Sequence, residues 1–187
     1  MAEIDPISNE NPTTETARVN LFGPADVIAI LQEKNWLTGE PNEQQIAWCA
    51  RAAVLLGVQA ADRARLADLL QLVFHYDAHG ILNSTEAHVV MSRYAARNVL
   101  RHLALLLLDC TELNTDRFRE IVDKLKLDLD IRGRELFHPL RLALAGHAGE
   151  GDLDRVILLL DEAAAARFMA PVKTARERIL EFCSVFD

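Results

Sequence analysis

The 187-residue sequence contains no long hydrophobic run and no sign of a targeting segment. Its longest apolar stretch, residues 52–58, is much shorter than the roughly 18 residues that indicate a membrane-spanning helix. The residues after Met1 do not follow the basic-then-apolar pattern of a secretory signal. We therefore expect a soluble, cytoplasmic protein with no membrane partner.

Cysteine is scarce, with three residues far apart at positions 49, 110 and 183. An odd number of cysteines without CxxC spacing predicts neither a disulfide framework nor a zinc knuckle. We interpret all three as buried free thiols.

Motifs for nucleotide binding and covalent catalysis are also missing. The sequence has no GxGxxG, GxxxxGK[ST] or GxSxG pattern, so we expect no cofactor and no enzyme chemistry. His75 and His79 have a metal-ligand spacing, and His88 lies beyond them. Because a metal would need further ligands of matching geometry, we favour surface or capping histidines and predict no metal site.

Basic residues are outnumbered, since 20 Lys and Arg face 28 Asp and Glu for a net charge of −8. Residues 1–50 account for −6 of this charge, so the acidity belongs mainly to the front of the chain. Phosphate contacts need local positive potential. A protein of this net charge is expected to bind nucleic acids poorly in general, and any such role requires a localised basic patch.

Apolar spacing and turn signals predict an all-α fold, a bundle of about eight helices. Residues 1–20 are expected to form a flexible acidic leader because they hold few large apolar side chains. The rest divides into an N-terminal helical subdomain, 21–112, and a C-terminal helical subdomain, 113–187. Helices are expected over residues 24–36, 41–56, 63–76, 83–108, 116–126, 134–145, 152–161, 162–168 and 174–186.

Three local features sharpen this prediction. Asn83 and Glu86 have the spacing of a capping box that opens a long helix ending near Leu108. Residues 125–131 alternate between apolar and charged side chains, which predicts an extended connector with its leucines pointing inward. Pro139 lacks a backbone donor and is expected to kink or restart its helix.

Two groups of arginines are candidates for phosphate binding, because guanidinium groups pair well with phosphate oxygens. Arg93, Arg97 and Arg101 recur every four residues and would share one face of the long helix. From this pattern alone, a solvated face or ion pairs with acidic neighbours is the favoured alternative. The second group contains Arg132, Arg134 and Arg141 and is interleaved with acidic residues.

The second group lies in a stretch with a distinctive pattern. From Arg132 to Gly146 the chain reads RGRELFHPLRLALAG. This resembles a segment near the C-terminus of bacterial glutamyl-tRNA synthetases. The shared pattern starts with a basic residue, a glycine and a second basic residue, followed by a short apolar step. It continues with Pro-Leu-Arg, an apolar-Ala-apolar triplet, a small residue and a glycine. The resemblance covers roughly residues 45–170 and is strongest over 132–160. Asp161 stands where the family usually has a glycine.

In that family the corresponding region consists of two small helical subdomains that bind the anticodon arm of tRNA. The resemblance therefore implies a free-standing anticodon-binding domain without the Rossmann catalytic domain or its HIGH-like and KMSKS-like motifs. Its expected partner is a tRNA of the glutamate or glutamine type, together with a synthetase or another protein acting in trans. A protein-interaction module that kept the fold and lost RNA binding is the alternative.

The resemblance also bears on individual residues. Arg132, Arg134 and Arg141 occupy basic positions of the motif and are implied to lie near the RNA backbone. For Arg141 a structural role, with its guanidinium capping carbonyl groups, is an open alternative. The first arginine group matches no motif of the family, so its assignment depends on spacing alone.

Overall fold

A computed structural model of the chain describes residues 20–186, and every regular element within them is an α-helix. The predicted all-α class is confirmed. The predicted leader falls almost entirely outside the described residues. The eleven helices are α1 Pro24–Glu33, α2 Glu43–Gly57, α3 Arg63–Phe74, α4 Ala78–Leu82, α5 Thr85–Met91, α6 Ala96–Leu108, α7 Thr115–Leu129, α8 Arg134–Ala145, α9 Asp152–Ile157, α10 Leu160–Ala166 and α11 Ala175–Phe186.

The starts of several helices follow from their capping residues. Asn42 and Gln45 form a capping box at the start of α2, with each side chain accepting from the other's backbone N–H. Asp62 caps α3 and Asn114 caps α7 with one hydrogen bond each. In both cases the side chain accepts from the third backbone N–H of the helix. These caps satisfy donors that the first helical turn leaves without partners.

The predicted long helix from Asn83 to Leu108 is wrong, because the structure divides it into α5 and α6. Asn83 is the C-cap residue that follows α4, and Ser84 caps α5 by accepting from Ala87 N. Glu86 does not complete a capping box, since its carboxylate accepts from Ala148 N at 2.9 Å instead. A hydrogen bond from a residue 62 positions away in sequence therefore replaces the predicted capping-box bond.

The predicted extended connector is also wrong, because α7 continues to Leu129 and ends at Asp130 in the left-handed region, at φ 50°. Leu125 is fully buried and Leu129 packs against the core, whereas Leu127 is 82% exposed. Leucines four residues apart share one side of a helix, and the residue midway between them faces the opposite side. The alternation in sequence was a helical pattern with one exposed leucine.

Two further differences concern residues that normally interrupt helices. Residues 77–82 lie outside every predicted helix, yet residues 78–82 form α4, with Asp77 accepting from His79 N at 3.1 Å as its cap. Helix α8 runs through Pro139 without restarting, and this proline is buried within the bundle. Gly146 then ends α8 at φ 86°, a conformation that favours glycine.

A single cluster of buried side chains contains residues from both predicted subdomains. Its aromatic centre is formed by Trp48, Phe74 and Phe168, with ring centroids between 5.0 and 5.7 Å apart. The division at residues 112 and 113 stays a prediction. No helix among residues 20–186 is long and apolar enough to cross a membrane.

None of the three cysteines, which all lie within residues 20–186, forms a disulfide. Cys49 and Cys110 are buried as predicted, whereas the prediction is wrong for Cys183, which is half-buried. Burial raises the pKa of the Cys49 thiol to about 12, so this group remains protonated at neutral pH.

Candidate nucleic-acid interface

The synthetase-like motif forms the start of α8 and the turn before it. Gly133 adopts φ 58°, and its carbonyl accepts from the backbone N–H groups of Leu136 and Phe137. A side chain at this φ would be strained, which explains a glycine between two arginines. Arg132 and Arg134 are therefore presented on either side of the turn, and both are exposed.

A groove of about 500 Å³ lies between α5, the first turns of α8 and residues 148–151. Arg93, Arg134 and Arg141 line it together with His138. Arg93 Nη1 lies 3.2 Å from His138 Nδ1, which joins the segment after α5 to α8. The tertiary structure thus brings one arginine of the first predicted group into contact with the second group.

The groove has a positive character that acts on His138. Burial is the main cause that lowers the pKa of this imidazole, and the positive charges of Arg93, Arg134 and Arg141 lower it further. Glu86 opposes the shift. The arginines that lower this pKa would favour an anion bound beside the imidazole.

Two carboxylates also line the groove, Glu86 and Glu150. Glu86 is already engaged with the opposite wall, where it accepts from Ala148 N and lies 3.2 Å from His147 Nδ1. Arg134 has no ion pair or side-chain hydrogen bond within residues 20–186. Its guanidinium is free to bind a phosphate oxygen.

These observations agree with comparisons against known proteins. A family model described as "Anticodon binding domain" matches residues 33–167. The chain belongs to this family. The match contains the entire groove of the anticodon-binding domain, including both arginine groups.

Glutamate–tRNA ligase of Exiguobacterium sibiricum is similar in sequence, with 23% identity over 133 residues. The aligned region covers 71% of this chain and 27% of that ligase, so the chain spans about a quarter of its relative's length. No solved structure matches the chain. The predicted resemblance to glutamyl-tRNA synthetases is confirmed.

Within the anticodon-binding domain, Arg141 is used by the fold itself. Its guanidinium donates to both carboxylate oxygens of Asp154, at 2.7 and 2.8 Å, and to the carbonyl of Gly149 at 2.9 Å. It also lies 4.8 Å above the ring of Phe137. These contacts join α8 to α9 and leave little of the guanidinium available to a ligand.

The other predicted arginines lie outside the groove. Because residues 92–95 separate the two helices, Arg93 does not share a helical face with Arg97 and Arg101. The guanidinium carbon of Arg97 lies 4.9 Å from the ring centroid of Phe186 in α11, and Arg101 is exposed on α6. Arg132 is exposed two residues before Arg134 and does not line the groove. Three of the six predicted arginines therefore line the groove, namely Arg93, Arg134 and Arg141. The other three lie outside it.

The histidine spacing does not form a site. Helix α3 ends at Phe74, and His75 follows it in an extended conformation, so His75 and His79 do not share a helical face. Among residues 20–186, no three His, Cys, Asp or Glu side chains are arranged to hold a metal ion.

Sequence reasoning missed His138 and Arg178. His138 falls within the apolar step of the motif, and its signal in the sequence is an imidazole between two basic motif positions. Arg178 is fully buried and donates to the carbonyl groups of Leu72, Val73 and Leu144. It lies beyond the matched family region, and no sequence pattern marks it as different from its neighbour Arg176.

Proposed function

We propose that this chain is a non-catalytic tRNA-binding module that grips the anticodon arm of a glutamate- or glutamine-type tRNA. Phosphates would bind in the groove lined by Arg93 and Arg134, with Arg132 and the outlying Arg97 and Arg101 as peripheral contacts. The proposal also places the chain in the cytoplasm, where translation takes place.

The observation that carries this proposal is the juxtaposition of Arg93 and Arg134 beside His138 in a groove of the family's own domain. Neither arginine forms an ion pair with a carboxylate in the described residues. The chain as a whole carries a net charge of −8. Two arginines without carboxylate partners in one groove therefore favour a negatively charged ligand there. Arginine presents a planar fork of donors that matches phosphate oxygens.

The proposed module contributes binding and not aminoacylation chemistry. The anticodon-binding domain is non-catalytic, so any aminoacylation with this tRNA would need a catalytic protein acting in trans. Assays of ATP–pyrophosphate exchange with glutamate, ATP and tRNA test this point. We expect no exchange above background from the purified chain, and substantial exchange would contradict the non-catalytic role.

Binding is tested by titrating the purified chain with glutamate, glutamine and unrelated tRNAs across a salt series. The variants are Arg134→Glu and Arg93→Gln, and the matched control is Arg119→Glu. Arg119 is exposed on α7 and does not line the groove. Each lost phosphate contact lowers the slope of log affinity against log salt by about 0.7 to 0.9.

We expect selective binding by the wild-type chain, weaker binding with a shallower salt slope for both groove variants, and wild-type behaviour for the control. An equal loss for Arg119→Glu would mean that overall charge, and not the groove, sets the affinity. Absence of tRNA binding at low salt would contradict the proposed function.

A protein-interaction module is the second candidate, and it is favoured by one exposed apolar pair. Leu105 and Leu108 lie three residues apart on α6, and both are exposed. Residues at this spacing share a helical face. Capture of one defined protein without RNA, lost on Leu105→Ser substitution, would favour this candidate over tRNA binding.

A further inference from the structure

Tyr94 differs from every other aromatic residue of the chain in its exposure. All eleven Phe, Trp and Tyr residues lie within residues 20–186, and ten of them are buried or half-buried. The Tyr94 side chain is 97% exposed. An aromatic ring left wholly in water gains nothing from packing within the chain, and its face remains available to a ligand.

The backbone around Tyr94 is fixed by its neighbours. Arg93 donates from its backbone N–H to Val90 O and accepts from Ala96 N, both at 3.2 Å, and its side chain reaches His138. Ala95 on the other side is buried. The exposed ring therefore extends from a short, anchored turn and not from a long loop, which reduces the entropy lost when a ligand binds.

This turn forms one edge of the cationic groove. Arg93 and Arg134 line the groove, and Tyr94 follows Arg93 in the chain, so its Cα lies about 3.8 Å from that of Arg93, at the rim of the groove. Val89, which is also exposed, adds an apolar surface within the groove. An exposed aromatic face next to unpaired cations is the combination that single-stranded nucleic acids require: stacking for the base and positive charge for the phosphate.

We propose that Tyr94 and the groove form a binding site for one unpaired nucleotide of RNA. The base stacks on the Tyr94 ring, and the adjoining phosphate binds between Arg93 and Arg134. This inference rests on the proposed tRNA-binding function and adds a specific position for a base of the anticodon loop. Stacking tolerates different bases, so Tyr94 supplies affinity for an unstacked base without selecting its identity.

The test uses the full chain, RNA hairpins with the anticodon-arm sequence of glutamate tRNA, and the variants Tyr94→Ala and Tyr94→Phe. Leu127→Ala is the matched control, because Leu127 is an exposed apolar residue that does not line the groove. Binding is measured across a salt series. A second set of hairpins carries one abasic nucleotide at each loop position in turn.

We expect Tyr94→Ala to weaken binding by about 5- to 150-fold, the range expected for loss of one base–aromatic stack, with an unchanged salt slope. Tyr94→Phe and Leu127→Ala should bind as wild type. One abasic position should abolish the difference between wild type and Tyr94→Ala, which identifies the stacked base.

Equal binding by Tyr94→Ala and wild type to every hairpin would overturn this inference and leave the proposed function intact. A loss in Tyr94→Ala that persists with every abasic hairpin would also overturn it, because no single base would then depend on the ring. Failure of the wild-type chain to bind any hairpin or tRNA would overturn both proposals.

Discussion

Arg141 and Asp154 form a two-point ion pair, with Nε 2.7 Å from Oδ1 and Nη2 2.8 Å from Oδ2. The pair holds the end of the 146–151 turn against α8, and both side chains are largely shielded from solvent. A basic residue of the family motif is thus used within the fold, while Arg134, seven residues earlier in the same helix, remains exposed at the groove.

The first prediction separates these two arginines. Arg141→Ala should lower the free energy of unfolding by about 2 to 4 kcal/mol, because it leaves the shielded Asp154 carboxylate without its partner. Arg134→Ala should change it by less than about 0.5 kcal/mol, as expected for an exposed side chain. Urea denaturation measures both. Unchanged stability of Arg141→Ala, combined with weaker tRNA binding, would assign Arg141 to the RNA interface instead.

The second prediction concerns Asp161, which replaces the glycine usual in glutamyl-tRNA synthetases. Its carboxylate accepts from Leu113 N at 2.7 Å and from Ala175 N at 2.8 Å, and so joins the loop before α7 to the start of α11. Asp161→Ala should destabilise the fold by about 2 to 3 kcal/mol, since two partly buried donors lose a charged acceptor.

Asp161→Asn is the informative companion variant, because an amide keeps only one acceptor oxygen. Its stability in thermal or urea denaturation should fall between those of wild type and Asp161→Ala. Wild-type stability for Asp161→Ala would show that water replaces both contacts and that the aspartate does not hold the two segments together.

The third prediction tests the buried Arg178. Burial lowers the pKa of its guanidinium to about 10, so the group still carries its charge at pH 7. It caps the C-terminal carbonyl groups of α3 and α8, where a positive charge is favourable. Arg178→Met should destabilise the chain by at least about 3 kcal/mol, because several buried carbonyl groups lose their donor.

The matched control for Arg178 is Arg176→Met, two residues away on the same helix and exposed. It should leave the denaturation midpoint close to that of wild type. Equal effects of the two substitutions would mean that helix α11 tolerates loss of the buried guanidinium, and the capping role would be wrong.

The fourth prediction concerns pH. The pKa of His138 lies below its ordinary value of 6.5 in the folded chain, so the folded state binds fewer protons than the unfolded state. Stability therefore decreases as the pH falls from about 6.5 through the folded-state pKa, and it is restored above this range. His138→Gln should remove this part of the acid sensitivity.

NMR titration of the His138 ring measures the pKa directly. Arg134→Gln should raise it towards the ordinary value by removing a nearby positive charge, and bound RNA should raise it through its phosphates. A pKa of His138 that does not respond to Arg134→Gln would show that Arg134 lies too far away to act on the imidazole.

Some features of the candidate site could be predicted from sequence and others could not. The motif around Gly133 identified Arg134 because its residue types and spacing are local properties. The spacing of Arg93 with Arg97 and Arg101 led to the wrong grouping, because the helix breaks at residues 92–95. The contact between Arg93 and His138 joins residues 45 positions apart, and no local pattern reports it.

By itself, the sequence determined the all-α class, the approximate position of most helices and the family of the chain. These depend on apolar periodicity, capping residues and a compact motif, all of which act within a few turns of chain. Only the tertiary structure decided where the predicted long helix breaks. It also decided which arginine forms a largely shielded ion pair within the fold and which arginines line the groove. Those outcomes depend on partners such as Ala148 for Glu86 and Asp154 for Arg141, and packing brings such partners together after the helices have formed.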